Sequence, residues 1–62
     1  MKMRTALVRN GEGNLSIKRY DDYRTNGEFA EDLRANGFRV LKIWACYKSD
    51  TEVCNWEYLN RK

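Results

Sequence analysis

The chain has no histidine and no proline, and only two cysteines, Cys46 and Cys54, among its 62 residues. The missing histidine removes the commonest general acid–base group and the commonest metal ligand. It also leaves no Ser–His or Cys–His nucleophile pair. Two cysteines alone cannot close a structural zinc site. Long apolar runs are missing too: the basic N-terminal stretch holds only Ala6-Leu7-Val8, whereas a secretory leader needs about 7–15 apolar residues and a membrane span about 18. Two cysteines without a leader imply reduced thiols in a cytoplasm. A chain of about 60 residues buries only roughly 60% of its unfolded surface. Together these absences predict a single cytoplasmic domain over residues 1–62, with no enzymatic activity, no cofactor, no metal and no membrane partner.

What is present points to a folded chain. Charged residues make up 34% and hydrophobic residues 42% of it, a balance that disordered segments do not have. The net charge of +3 is unevenly placed. Lys2, Arg4, Arg9, Lys18, Arg19 and Arg24 outnumber Glu12, Asp21 and Asp22, while cations and anions balance beyond residue 24. A basic segment of this kind either steers a domain toward acidic surfaces or keeps an edge strand from aggregating.

Residues 2–9 and 15–20 are predicted to form a hairpin, because Asn10-Gly11-Glu12-Gly13-Asn14 between them is a turn signal. This spacing pairs Arg9 with Leu15 and Leu7 with Ile17. Met3, Leu7, Leu15 and Ile17 then share one face, and Lys2, Arg4, Ala6, Val8, Ser16, Lys18 and Tyr20 the other. Thr25-Asn26-Gly27-Glu28 reads as a capping box. Phe29, Ala30 and Leu33 give the following helix a narrow apolar stripe, and Asn36-Gly37 ends it. Residues 38–47 and 52–59 read as a second hairpin turning at Ser49-Asp50. Its register places Leu41, Ile43, Ala45, Cys54, Trp56 and Tyr58 beneath Phe29 and Leu33. It puts Lys42 across from Glu57, and sends Cys46 and Cys54 to opposite faces as unbridged, half-buried small hydrophobes. The expected architecture is α+β, in the order β-β-α-β-β: a four-stranded antiparallel sheet of order 2-1-3-4 with one helix on one face.

An uncovered second face then follows. It would carry Trp44, Tyr20, Phe38, Val40 and Val53, with Lys2, Arg4, Lys18 and Lys42 interspersed. Trp44, Tyr20, Arg4, Lys18 and Lys42 are the candidate partner-binding residues, as aromatic anchors inside a cationic rim. The same mixture suits single-stranded nucleic acid, although the aromatic consensus of an RNA-recognition motif is absent. A homodimer would equally cover such a face. Asp21-Asp22 is a loop pair with no third ligand placed by spacing, so it reads as a helix lead-in. A nuclease-like toxin built on Glu57 and Lys42 lacks a pocket-forming set around them.

Tyr20, then Thr25-Asn26-Gly27-Glu28-Phe29-Ala30-Glu31-Asp32-Leu33, then Gly37-Phe38-Arg39-Val40-Leu41-Lys42-Ile43, reads as strand, capped helix and G-F-x-V strand. This stretch resembles small bacteriophage early proteins that disable host machinery, such as the short T7-type inhibitor of host RNA polymerase and some anti-CRISPR proteins. It covers roughly residues 15–45. The chain departs from the polymerase inhibitor in its basic first hairpin and in its C-terminal Trp56 and Tyr58, so no binding residue carries over. The resemblance implies a non-enzymatic inhibitor that occupies a surface on a host protein complex in the host cytoplasm.

Overall fold

Arg4–Arg9 forms strand β1 and Leu15–Tyr20 forms strand β2, antiparallel, with Leu7 opposite Ile17 and Arg9 opposite Leu15. The turn between them is held by one side chain. The Asn10 amide oxygen accepts the backbone N–H of Glu12 at 2.9 Å and of Asn14 at 3.0 Å. Gly13 supplies the positive φ of 85° that the turn requires. A computed structural model describes residues 3–61, and among these lie three strands and two helices. Helix α1 is Asn26–Ala35, strand β3 is Arg39–Trp44 and helix α2 is Asp50–Leu59. Lys2 lies outside the described residues. Among the described residues no helix is long and apolar enough to cross a membrane.

Helix α1 follows its sequence signals. The Thr25 hydroxyl accepts the Glu28 N–H at 3.1 Å. The Glu28 carboxylate accepts the N–H of Arg24 rather than that of Thr25, so the expected box is only half formed. Phe29, Ala30 and Leu33 are buried. Gly37, with φ of 87°, closes the helix, and the N–H of Phe38 returns to the Leu33 carbonyl.

The sheet order is β2-β1-β3, all antiparallel, which matches the first three strands of the expected order. The fourth strand is a misreading, because the chain from Asp50 to Leu59 is helix α2. Ser49 and Glu52 form a complete capping box there: the Ser49 hydroxyl accepts the Glu52 N–H at 3.2 Å, and the Glu52 carboxylate accepts the Ser49 N–H at 3.3 Å. Thr51, Val53, Trp56 and Tyr58 favour strand by propensity, but capping and the burial of Val53 prevail. The sheet is therefore three-stranded, with a helix on each face. Neither face is open in the way the sequence suggests.

The two faces divide along β1. Ala6 and Val8 join Phe29 and Leu33 in the core under α1, with Tyr23, Phe38, Val40 and Ile43 around it. Thr5 and Leu7 point the other way and are buried, as is Val53 of α2. Val40 and Ile43 are three residues apart, so a regular strand would set them on opposite faces. A bulge makes them neighbours: Val40 pairs with Val8 and Lys42 with Leu7, leaving Leu41 as the extra residue. Helix α1 thus covers the face of Ala6, Val8, Lys18 and Tyr20 that the sequence leaves open. Phe38 and Val40 belong to the α1 core. Trp44 sits opposite Thr5 and meets Trp56 edge-on, centroids 5.7 Å apart. Lys42 does not pair with Glu57, which instead accepts from Arg61 at 2.7 Å. Cys46 and Cys54 are free thiols as expected, but both are exposed, one in the connection and one on a helix.

Thr5 ties α2 to the sheet. Its buried hydroxyl donates to the Cys46 carbonyl at 3.0 Å and accepts the Lys48 N–H at 2.9 Å. Carboxylates reinforce the helix. The Ser49 hydrogen bonds hold Glu52 below the ordinary glutamate value of 4.5, and the Arg61 hydrogen bond does the same for Glu57. Both pKa values are depressed on folding, so their support is complete above pH 4.5 and falls away as acid protonates them below it. Amide exchange in α2 is therefore expected to accelerate below that pH while α1 holds. In Glu52→Gln the acid dependence flattens; an unchanged profile contradicts this account.

Candidate functional site: two grooves along the free edge of β2

Both helices lie toward β1 and β3. Helix α1 packs on β3, while α2 sets Val53 into the Leu7 side of the sheet and Trp56 against Trp44 of β3. Strand β2 is left overhanging, paired on one side only, with Leu15 43% and Tyr20 45% exposed. A groove runs along each of its faces.

The groove on the α2 side measures about 430 Å³. Leu7, Leu15 and Ile17 line it from the sheet, and Val53 and Cys54 from α2. Arg19 and Asp50 pair at 2.5 Å in its lining, where Glu57 also stands. Arg19 is held three ways: its Nε donates to the Lys48 carbonyl at 3.0 Å, its Nη2 meets Asp50, and its guanidinium lies 5.0 Å from the Tyr47 ring. The groove is apolar in the middle and carries fixed charge around it.

The groove on the α1 side is smaller, about 250 Å³, between Lys18 and Tyr20 of β2 and Asp32, Leu33 and Phe38 beyond. The Lys18 ammonium lies 4.8 Å from the centre of the Phe38 ring. Tyr20 packs edge-on against Tyr23 and Phe29, and Tyr23 stacks on Phe29 at 4.9 Å. The Tyr23 hydroxyl donates to Asp32 at 2.5 Å. That bond pushes the Tyr23 phenol up to about 12, with desolvation and the charges of Asp32 and Asp22 adding to it. It stays a protonated donor at any physiological pH.

The five sequence candidates separate. Tyr20 and Lys18 line the α1-side groove. Arg4 is opposite Tyr20, but its guanidinium donates to the Tyr23 and Arg24 carbonyls and to the Asn26 side chain. It clamps the lead-in to α1 at residues 23–26. Trp44 is half-buried against Trp56 on the other face, and Lys42 is exposed on β3. Leu15, Ile17, Arg19 and Val53 line the larger groove but are not among the sequence candidates for partner binding. The alternation predicts a shared face for Leu7, Leu15 and Ile17, but as the face beneath α1; the structure sets α1 on the Ala6 and Val8 face and gives the Leu7 face α2 as its wall.

No protein-family model, curated protein or solved structure matches this chain. Among the described residues no group of three or more Cys, Asp and Glu stands close enough to hold a metal ion. The arrangement offers an apolar slot, a free strand edge and fixed cations, which is the chemistry of recognition.

Proposed function

We propose that this protein is a non-enzymatic binding module that acts by occupying a surface on a larger protein. The observation that carries this reading is the overhang of β2, where an apolar slot floored by Leu7, Leu15 and Ile17 opens beside an unpaired strand edge. Leu15, Ile17, Lys18 and Tyr20 are the contact residues. Arg4 and Trp44 position the two walls. If the chain is phage-encoded, as the resemblance to host-takeover proteins implies, the target is a host protein complex in the host cytoplasm and the mode of action is steric occlusion.

Nucleic acid fits this surface less well, because stacking needs free ring faces. Lys18 covers Phe38, Trp56 meets Trp44, and Tyr20 is engaged by Phe29 and Tyr23.

Affinity capture from a nuclease-treated bacterial lysate tests the reading. The expected result is a stoichiometric protein partner whose recovery falls by about tenfold or more with Leu15→Arg, the size of loss expected from an interface anchor. Leu15 is 43% exposed, so this variant keeps its fold. Recovery that disappears with nuclease, or that is indifferent to Leu15→Arg, overturns it.

A further inference from the structure

We infer that the partner docks by strand addition: an extended segment with alternating apolar and acidic side chains pairs with the outer edge of β2. This rests on the binding-module reading and specifies its geometry. The edge is available, since no described residue pairs with β2 on the side away from β1. Its register is unbroken from Leu15 to Tyr20. The other outer strand, β3, carries the bulge at Leu41, and bulges spoil an edge as a template.

The backbone shows which groups point outward. In an antiparallel pair, residues alternate between those bonded to the partner strand and those facing away. The N–H of Asn10 donates to the Asn14 carbonyl at 3.0 Å, which fixes that pair as bonded. Counting along the register, Ser16, Lys18 and Tyr20 bond inward to Val8, Ala6 and Arg4. The N–H and C=O groups of Leu15, Ile17 and Arg19 therefore face outward, ready for another strand.

Side-chain chemistry selects the segment. Alternate residues of an added strand fall on alternate faces. Those on the α2 side enter the slot beside Leu15, Ile17 and Val53, so they are apolar. Those on the other side pass Lys18, which has no carboxylate partner among the described residues. Strand β2 has no anion, and its other cation, Arg19, is already paired with Asp50 on the α2 side. A second copy of the chain is a poor occupant, because β2 has no anion and a self-paired edge sets Lys18 opposite Ser16 or another Lys18, never a carboxylate. An acidic strand from another protein meets complementary charge.

The test uses isotope-labelled protein and two synthetic peptides of about eight residues, a length matched to a short strand. One alternates glutamate and valine, and the other replaces each glutamate by lysine. A third reagent is the chemically synthesised chain with the Ile17 backbone N–H methylated, which removes one outward donor and leaves every side chain intact. The glutamate peptide is expected to shift the amide resonances of Leu15, Ile17 and Arg19 and slow their exchange. The lysine peptide should bind at least about tenfold more weakly, as repulsion by Lys18 demands. Methylation at Ile17 abolishes binding without changing the circular dichroism spectrum. Absence of binding at millimolar peptide, shifts centred away from β2, equal affinity for the two peptides, or indifference to methylation each overturns strand addition. A lysate partner that is lost with Leu15→Arg but retained by the methylated chain also refutes strand addition and leaves the binding module standing.

Discussion

Replacing Phe29 by alanine is expected to remove most of the stability of the fold. Phe29 has no exposed surface and stands at the centre of the α1 core with Ala6, Val8 and Leu33. It also carries the aromatic packing at the mouth of α1, stacked on Tyr23 and edge-on to Tyr20. Truncating such a residue costs about 3–5 kcal/mol, from lost transfer energy and from the cavity left behind. A domain of this size has a total stability of roughly 3–9 kcal/mol. The hole closes poorly on its sheet side, because Ala6 and Val8 are fixed by pairing on both sides of β1. Urea denaturation followed by circular dichroism should show a midpoint close to zero denaturant, or no native baseline. A loss below about 1 kcal/mol, the scale of an ordinary surface substitution or smaller, would refute the assignment of Phe29 as the keystone of this core.

Val53→Asp is expected to act on the other face and to act locally. Val53 is the buried residue of α2, set against the side of the sheet that carries Leu7. An aspartate there has no cation within its own turn to pair with, and burying an unpaired charge is far costlier than releasing the helix. What remains to hold α2 is the Arg19–Asp50 pair, the Thr5 bonds to its approach and the Trp44–Trp56 edge contact. Helix α2 should detach and, at ten residues, lose its helicity in water. Hydrogen exchange is the measurement. Amides from Asp50 to Leu59 should exchange at free-peptide rates, while those of β1, β2 and α1 stay protected. Simultaneous loss of protection everywhere would show that the sheet cannot stand without its second helix, and would refute local release.

These substitutions separate what could be read in the chain from what could not. The first hairpin and α1 were legible because their signals are local: a turn cluster at Asn10–Asn14, a cap at Thr25, a glycine at Gly37. The pairing of Leu7 with Ile17 followed from loop length alone. The C-terminal quarter was harder because two local signals conflict. Val53, Trp56 and Tyr58 have strand propensity, whereas Ser49 and Glu52 spell a helix start. A tertiary contact, Val53 on the Leu7 side of the sheet, decides between them, and no window of sequence contains both partners. The bulge at Leu41 is equally invisible, since it shows only when β1 is laid beside β3. The site inherited these errors. Tyr20 and Lys18 share a strand face, as alternation predicts, but α1 stands on that face, which the sequence leaves open. Trp44 reads as an exposed anchor only while residues 52–59 are a strand; as helix α2 they set Trp56 against it.

Strand β1 is the first strand to be synthesised and the middle one of the finished sheet. A nascent chain can form the β1–β2 hairpin as soon as residue 20 is clear of the ribosome. At that stage Leu7 lies bare and the Thr5 hydroxyl waits for the Cys46 carbonyl and the Lys48 amide, which arrive more than twenty residues later. The slot beside β2 is thus the last part of the molecule to acquire a wall. Until then, the growing chain presents its apolar floor and its free edge together to whatever is nearby.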